Sequence, residues 1–275
     1  MGPKEAANLG HLLDEHQVTF MSSVPALWKL ALKLSKPPQR NALRQVNIGS
    51  APLSVDLWQK IIGWTATDKV VNMYGITETA NWLAGTSLNP HNPVDGLVGK
   101  MWGGVAAIRM EEGKIHPVGQ GEICVQSPSL MSGYHKRPDL TDQVLKGGWF
   151  FTGDIGTVDA EGIIRITGRQ KHEINRAGIK IHPEEIDLLL EQHPLVSEAC
   201  CFGIPDDISG ELVGVAVRLV NNEINDAALK VWCKERIKSE CVPERWFFVS
   251  EIPKTDRGKI NRETVMKACL NKLPT

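Results

Sequence analysis

Apolar residues in the first part of the chain alternate between short continuous runs and stripes with the period of a helix. Residues 17–22, 46–50 and 69–73 form short runs, which predict buried strands. Pro25 and Ser54 each stand at the start of a helical stripe between these runs. The inward-facing residues predicted for the two helices are Leu27, Leu30, Ala31, Leu34, Trp58, Ile61 and Ile62. This alternation predicts a parallel sheet with right-handed crossovers.

From about Gly96 the pattern changes to glycine-rich strands joined by tight turns. The apolar runs 155–158 and 163–166 are separated by four residues that include Asp159 and a glycine, which is typical of a hairpin loop. We therefore predict an antiparallel sheet or barrel over residues 96–169.

A third pattern, which mixes helices and strands, covers residues 170–275. Pro183 is followed by two glutamates, a typical first turn of a helix. Asp226 is expected to cap a second helix. The predicted inward-facing residues of the first helix are Ile186, Leu189 and Leu190, and strands are predicted near residues 198–202, 212–220 and 245–250. These elements predict a compact α+β domain.

Composition narrows the class of protein. With 275 residues, 42% hydrophobic and 23% charged, the chain has the makeup of a soluble globular protein. Lysine and arginine number 31 against 32 acidic residues, and no basic stripe is visible, so we expect no nucleic-acid partner. The six cysteines show no paired CxxC spacing and are predicted to be reduced structural thiols. No apolar run reaches the roughly 20 residues of a bilayer span, so we expect no transmembrane segment and a cytoplasmic location.

Candidate chemistry appears first where the predicted parallel strands end. Ligands of such sheets bind beyond the carboxyl ends of the strands, and two polar segments follow strands there. In the second segment, Thr77 and Glu78 combine a hydroxyl with a carboxylate, which suits Mg²⁺ and a phosphate oxygen, and Gly75 permits close approach of the backbone. For Thr77 and Glu78, the alternative is a solvated helix cap. For the first segment, the alternative is a simple turn. The first segment consists of Gly49, Ser50, Ala51 and Pro52.

Further along, three residues combine charge with a position at an edge between patterns. Asp154 follows aromatic residues that can hold its carboxylate at a strand end, where it suits two ribose hydroxyls; a hairpin aspartate bonded to its own backbone is the alternative. Lys171 lies where the second pattern stops and suits a hinge, although an ordinary linker lysine fits equally. Lys259 follows a glycine in a short loop and suits a mobile point charge, with a solvated turn as the alternative.

The histidines do not favour a metal site or a general base. They lack the spacing of known zinc motifs, so solvated or helix-end positions are expected. The histidines considered are His172, His182 and His193.

Four polar motifs follow one another along the chain. They are Tyr74-Gly75-Ile76-Thr77-Glu78, Thr152-Gly153-Asp154, Gly168-Arg169-Gln170-Lys171 and Thr255-Asp256-Arg257-Gly258-Lys259. In this order and spacing they resemble the adenylate-forming (AMP-binding) enzyme superfamily. Residues 181–187 resemble its acyl- and aryl-CoA ligase branch more than the amino-acid-activating domains of peptide synthetases. The resemblance covers nearly the whole chain.

The resemblance implies a fold that is α/β plus α+β. Residues 1–169 would be the C-terminal part of a large N-terminal domain, with a βα sheet over 1–95 and an antiparallel barrel over 96–169. Residues 170–275 would be a small mobile lid domain. The Ser/Thr/Gly-rich loop with which such enzymes bind the ATP phosphates is not in this sequence. The remaining half is therefore expected from another chain or a longer native protein.

The resemblance also implies roles around a nucleotide. Tyr74 would stack on adenine, Thr77 would touch the α-phosphate and Glu78 would hold Mg²⁺. Asp154 would bind the ribose together with Arg169, which would otherwise be a surface ion-pair partner.

Other implied roles concern the acid and the thiol. Residues 49–52 would line the acyl and adenine pocket, and Lys259 would bridge the substrate carboxylate and the α-phosphate. Rotation about the hinge Lys171 would replace Lys259 by the loop of Gly178, which would line a pantetheine tunnel. Relatives often have two glycines in that loop, and Ala177 replaces the first.

The implied function is that of an ATP-dependent carboxylic acid:CoA ligase, with ATP, Mg²⁺ and coenzyme A as its cofactors. It would form an acyl-adenylate and then a thioester. Two alternatives stay open: a non-catalytic nucleotide-binding or interaction module, and an adenylate-only, luciferase-like or amino-acid-activating relative. The identity of the acid does not follow from the sequence.

Overall fold

The computed structural model describes residues 3–40, 42–86, 92–221, 223–255 and 259–271. These residues form two compact units, Met1–Ile166 and Thr167–Thr275, here called the N-unit and the C-unit. Asp256, Arg257 and Gly258 of the last motif lie outside the described residues.

The elements of the N-unit follow the predicted alternation. Its helices are α1 Pro3–Ala7, α2 Leu9–Glu15, α3 Pro25–Leu34, α4 Val55–Thr65 and α5 Pro138–Val144, with a 3₁₀ turn at Thr77–Thr79. Its strands are β1 Phe20–Ser23, β2 Gln45–Gly49, β3 Val70–Ile76, β4 Asn81–Gly85, β5 Leu97–Met101, β6 Val105–Arg109, β7 Ile115–His116, β8 Gly119–Gln126, β9 Leu145–Lys146 and β10 Trp149–Val158. Strand β11 Ile164–Arg169 runs across the boundary between the units.

Most strands of the described chain before residue 170 belong to one sheet with the order β1-β2-β3-β4-β5-β11-β10-β8-β6-β7, and β9 pairs with β10. Strands β1, β2 and β3 are parallel neighbours, which confirms the predicted strand-helix-strand arrangement. Within this sheet, the described pairings after β3 are antiparallel, beginning with β3 against β4. The sheet is therefore mixed, and β4 and β5 join its parallel part to its antiparallel part.

Helices α3 and α4 begin as the sequence predicts. Pro25 occupies the first turn of α3, and the Ser54 hydroxyl accepts a hydrogen bond from the Leu57 amide at the start of α4. The prediction that Leu34 faces inward is wrong, because it ends α3 and is 54% exposed. Trp28, which was not predicted, is fully buried in the core instead.

Three candidate residues predicted at strand ends lie inside strands. Pairing with β4 extends β3 to Ile76, so Tyr74 and Gly75 belong to the strand. Asp154 lies within β10, at a register shift against β8. The hairpin-aspartate alternative for Asp154 is therefore wrong, since the hairpin loop follows β10 at Asp159.

The C-unit packs helices on a five-stranded sheet with the order β13-β12-β15-β14, in which β16 pairs with β15. Its strands are β12 Ile174–Arg176, β13 Ile179–Ile181, β14 Val196–Asp206, β15 Gly210–Leu219 and β16 Arg245–Phe248. Its helices are α6 Pro183–Glu191, α7 Asp226–Lys234 and α8 Arg262–Leu270, with 3₁₀ turns at Gln170–His172 and Ser239–Cys241. The predicted cap Asp226 is wrong by one residue, because the Asn225 side chain accepts the hydrogen bond from the Ala228 amide.

All six cysteines are free thiols, as predicted, and most are buried. Burial raises the pKa of Cys124 to about 12, so this thiol stays protonated and unreactive near neutral pH. Among the described helices, none is long and apolar enough to cross a bilayer.

Candidate functional site

The first candidate segment turns sharply at the end of β2. A Cβ built on Gly49 would lie 2.6 Å from the Trp82 ring and 2.8 Å from the Met73 carbonyl oxygen, so only glycine fits there. Ser50 follows with a φ of +70°, which turns the chain away from the strand. Trp82 of β4 thus rests on the segment predicted to line the acyl pocket. The sequence analysis missed this residue.

A short hydrogen bond brings two of the predicted motifs together. The Tyr74 hydroxyl of β3 donates to Asp154 Oδ2 of β10 at 2.6 Å. Tyr74 is 7% exposed and Asp154 is 2% exposed, so both lie in the interior of the N-unit. A buried carboxylate needs such donors, because an unpartnered one is expensive to desolvate.

The backbone around Asp154 is also held in place. The Thr152 hydroxyl accepts a hydrogen bond from the Asp154 amide at 3.0 Å. Glu122 Oε1 accepts from the Gly153 amide at 3.0 Å, where the φ of Gly153 is +69°. Arg109 in turn pairs with Glu122 Oε2 at 3.2 Å. Glu122 and Arg109 therefore fix the bulge that presents Asp154, and neither was predicted.

Glu78 is oriented from both its side chain and its backbone. The Tyr134 hydroxyl donates to Glu78 Oε1 at 2.7 Å, and the Met131 amide donates to the Glu78 carbonyl at 2.8 Å. Burial, with a further contribution from the Glu78 carboxylate, raises the pKa of Tyr134 to about 12, so its hydroxyl remains a donor. Thr77 lies exposed beside this carboxylate. Tyr134 was missed, although the chain has only two tyrosines and both donate to a predicted carboxylate.

The C-unit carries the remaining candidate residues. Arg169 ends β11, and Lys171 lies exposed in the 3₁₀ turn that follows. Gly178 lies in the tight turn between β12 and β13, where its amide donates to Asn175 Oδ1 at 3.0 Å. Tyr74, Asp154 and Glu78 therefore lie in the N-unit, whereas Arg169, Lys171, Gly178 and Lys259 lie in the C-unit.

Ala177 offers a test of the turn that contains Gly178. Its φ is +49°, a region in which a Cβ costs about 1 kcal/mol. We expect Ala177→Gly to raise the free energy of unfolding by up to about 1 kcal/mol, measured by urea denaturation. Ala268→Gly, inside α8, is the matched control and should lower it by about 1 kcal/mol. Destabilisation by Ala177→Gly would contradict the assigned turn.

Lys259 stands on one arm of a hairpin, here called the Lys259 hairpin, whose arms are residues 253–255 and 259–261. The Thr255 amide donates to the Lys259 carbonyl at 2.7 Å, and the Lys259 amide donates to the Thr255 hydroxyl at 3.2 Å. The Asn261 amide donates to the Pro253 carbonyl at 3.1 Å. The exposed side chain of Lys259 therefore projects from an ordered backbone.

A buried ionic cluster on α6 and α8 was not predicted. Arg262 Nη2 lies 2.9 Å from Asp187 Oδ2 and 3.3 Å from Glu184 Oε1. His172 Nδ1 lies 2.6 Å from the same Glu184 oxygen, and since a carboxylate only accepts, the imidazole donates. His172 thus ends the 3₁₀ turn Gln170–His172, one of the two expected positions, and is partly buried and hydrogen-bonded there. Burial raises the pKa of Asp187 to about 7, against the opposing charge of Arg262.

The ionisation of Glu184 makes the stability that this cluster contributes depend on pH. Burial opposes its ionisation, but the His172 hydrogen bond and Arg262 outweigh burial and lower its pKa. Because the pKa of Glu184 is lower in the folded state, its ionisation stabilises the fold at pH values above the unfolded pKa of about 4.3. This stabilisation is lost as the pH falls through the folded pKa. We expect Glu184→Gln to destabilise the protein at pH 7 and the difference from wild type to shrink below about pH 4. Chemical denaturation at several pH values measures this, and a constant difference would contradict it.

Comparison with known proteins identifies the family. Residues 2–135 match the family described as AMP-binding enzyme, and residues 185–259 match the one described as AMP-binding enzyme C-terminal domain. Together these matches cover well over half of the chain. The chain belongs to the adenylate-forming, AMP-binding enzyme superfamily, in its acyl-CoA ligase branch.

Individual relatives share this architecture and differ in substrate. An oxalate–CoA ligase of Arabidopsis thaliana is 33% identical over an alignment of 271 residues that covers 94% of this chain and 52% of that protein. The structure of the amide bond synthetase McbA from Marinactinospora thermotolerans superposes with a TM-score of 0.87 at 27% identity, covering 98% of this chain and 55% of that one. An anthranilate CoA ligase in complex with anthranoyl-AMP gives a TM-score of 0.85 at 26% identity, covering 98% and 53%. This chain spans about half the length of the relatives it matches.

Proposed function

We propose that this chain is part of an ATP-dependent carboxylic acid:CoA ligase. In the first step the carboxylate oxygen attacks the α-phosphorus of ATP, and pyrophosphate leaves. In the second step the sulfur of coenzyme A attacks the acyl carbonyl carbon, and AMP leaves with the bridging oxygen. The observation that carries the proposal is the pair of tyrosine-to-carboxylate hydrogen bonds, Tyr74–Asp154 and Tyr134–Glu78, because the resemblance implies nucleotide-binding roles for Tyr74, Asp154 and Glu78.

Glu78 and Thr77 fit a Mg²⁺-phosphate site by their chemistry. Both supply oxygen ligands, which Mg²⁺ prefers, and the Tyr134 hydroxyl keeps the Glu78 carboxylate in one orientation. When bound, Mg²⁺ would neutralise charge on the phosphates. Glu78 would hold the ion, and Thr77 would contact the α-phosphate.

Asp154 is suited to the ribose. A carboxylate has about four acceptor positions, so it can accept from Tyr74 and from ribose hydroxyls as well. Tyr74 would thereby orient Asp154 in addition to its predicted contact with adenine. Arg169 would bind the same ribose, but from the C-unit.

Lys259 would supply positive charge to the first step. Its ammonium would bridge the substrate carboxylate and the α-phosphate and offset the charge that develops during attack. Rotation about Lys171 would then bring the Gly178 turn to the cleft for the thiol step. One cleft could thus serve two reactions in succession.

The relatives do not share one acid substrate or one acceptor of the acyl group. The named relatives act on different acids, and one forms amides. We propose coenzyme A as the acceptor because residues 181–187 resemble the CoA ligase branch. Residues 49–52 with Trp82 would form part of the acyl pocket. The remainder of the enzyme would come from a longer native protein or from another chain.

Carboxylate-dependent exchange of pyrophosphate into ATP tests this proposal. It would be measured over a panel of acids, with the chain alone and with an upstream half added. We expect exchange with one class of acid in the presence of the upstream half. Binding of AMP without exchange in any mixture would instead favour a non-catalytic module, and acyl-AMP formation that ignores coenzyme A would favour an adenylate-only enzyme.

Tyr134→Phe tests the assigned role of Glu78. Loss of one hydrogen bond to a charged group costs about 1.5–3 kcal/mol, so we expect a roughly tenfold or greater rise in the Mg²⁺ concentration for half-maximal exchange. In a Glu78→Ala background the same substitution should add nothing, because the two residues act through one contact. Additive effects of the two substitutions would show that Tyr134 does not act through Glu78.

A further inference from the structure

The Lys259 hairpin is attached to the rest of the C-unit at both of its ends, which are here called its feet. At the first foot, Lys254 donates to Glu198 of β14, whose side chain is only 8% exposed. Arg218 of β15 approaches the other oxygen of Glu198 at 3.1 Å. A buried carboxylate with two cations is costly to separate from either of them. The first foot is therefore pinned to β14, and β15 supplies the second cation.

At the second foot, Arg262 begins α8 directly after the hairpin, with a side chain that is only 12% exposed. It donates to Asp187 and also to the carbonyl of Cys201 in β14. The Cys201 amide donates to the other oxygen of Asp187 at 2.5 Å. Helix α6, strand β14 and the start of α8 are thus joined by one guanidinium.

The same cluster reaches the predicted hinge. The Glu184 oxygen that lies 3.3 Å from Arg262 also accepts from His172, the residue after Lys171. A Cβ built on Gly168 would lie 2.9 Å from Glu184 Oε2, so the backbone of Gly168 also packs against this carboxylate. Segment 168–172 and Arg262, the residue that follows the Lys259 hairpin, therefore share one buried anion.

Such a cluster is not explained by stability alone. Buried ion pairs are often no more stabilising than apolar residues of the same volume, whereas they do require one particular arrangement of their partners. Here that arrangement determines where the hairpin emerges from the C-unit. A displacement of about 1 Å can cost a hundredfold in rate, so a lysine that must reach a reacting carboxylate needs a fixed base.

We propose that Lys254 and Arg262 are positioning residues that hold the Lys259 hairpin, and that Glu184 ties Arg262 to His172, so that the hairpin moves with the part of the chain that follows the hinge Lys171. This inference rests on the proposed function, because it assigns Lys259 to the acyl-adenylate step. The thiol step, which would use the Gly178 turn, should not depend on the hairpin.

Hydrogen exchange tests the structural part of this proposal without any need for activity. The chain would be compared as wild type, Lys254→Met, Arg262→Met and Lys254→Arg. Lys267→Met is the matched control, since it removes an exposed pair with Glu263 on α8. We expect amide exchange in peptides covering 253–261 to rise about tenfold or more in the two Met variants and to stay near wild type in the others. Unchanged exchange in a folded Lys254→Met variant would overturn the proposal, even if Arg262→Met fails to fold.

The two half-reactions test the functional part. With an upstream half present, both Met variants should form acyl-adenylate at least tenfold more slowly, while thioester formation from supplied acyl-adenylate stays within twofold of wild type. Equal losses in both steps would indicate general structural damage and overturn the positioning role. If the wild type forms no adenylate, the proposed function fails, and the exchange data alone then decide whether the feet hold the hairpin.

Discussion

Lys259→Ala is expected to slow acyl-adenylate formation at least a hundredfold, the scale of losing one preorganised charge at a reacting oxygen. The ammonium is the group proposed to offset charge between two anions, the substrate carboxylate and the α-phosphate. Its removal leaves their repulsion uncompensated in the first step. Conversion of supplied acyl-adenylate to thioester should remain within about threefold of wild type, because a different turn of the C-unit would serve that step.

Single-turnover assays of each step measure this prediction. Lys267→Ala is the matched control, since it removes an exposed lysine of the same unit and should leave both steps unchanged. Losses in both steps with Lys259→Ala would argue against alternation of the two groups at one cleft. An unchanged first step would remove Lys259 from the mechanism.

Asp187→Ala is expected to lower the free energy of unfolding by about 3–5 kcal/mol. Asp187 is 8% exposed and faces Arg262 at 2.9 Å, so its removal leaves a buried guanidinium without its main counter-charge. The Cys201 amide loses its acceptor as well. The Cys201 amide then carries an uncompensated desolvation cost, and Arg262 keeps only Glu184 and the Cys201 carbonyl as partners.

Urea denaturation of wild type and variant measures the effect. Glu263→Ala is the control, because its pair with Lys267 is exposed and screened by solvent and should contribute little to stability. The double variant Asp187→Leu with Arg262→Met should recover most of the loss, since replacing a whole buried pair by apolar side chains is often neutral. A loss below about 1 kcal/mol for Asp187→Ala would show that the cluster is better solvated than its burial indicates.

Local patterns predicted the parallel half of the sheet well. Short apolar runs and proline or serine at helix starts are local signals, and they located β1, β2, α3 and α4 correctly. Strand ends were less accurate, because pairing with a later strand extended β3 by several residues past its apolar run. The cap of α7 moved from Asp226 to Asn225 for a related reason: adjacent residues of similar chemistry compete, and backbone geometry selects one.

Residues of the candidate site were predictable from the sequence only where they belong to short motifs. Tyr134 and Glu78 are 56 residues apart, and Arg262 and Asp187 are 75 residues apart, so no spacing rule connects either pair. The one available signal was Asp187 itself, a charged residue beside Ile186 and near Leu190 on the buried side of α6. A charge in such a place requires a buried partner, but the sequence does not say which one.

Each unit has hydrophobic clusters of its own, and this separation affects how the acid specificity of the protein could change by substitution. The residues proposed to contact the acid, Gly49 and Trp82, belong to the N-unit, whereas those that hold Lys259 pack around β14 in the C-unit. Each hydrophobic cluster of the described residues lies within one unit, so we expect the energetic effects of substitutions in the two sets to add. A lineage, or a protein engineer, could therefore exchange one acid for another without re-optimising the activation chemistry.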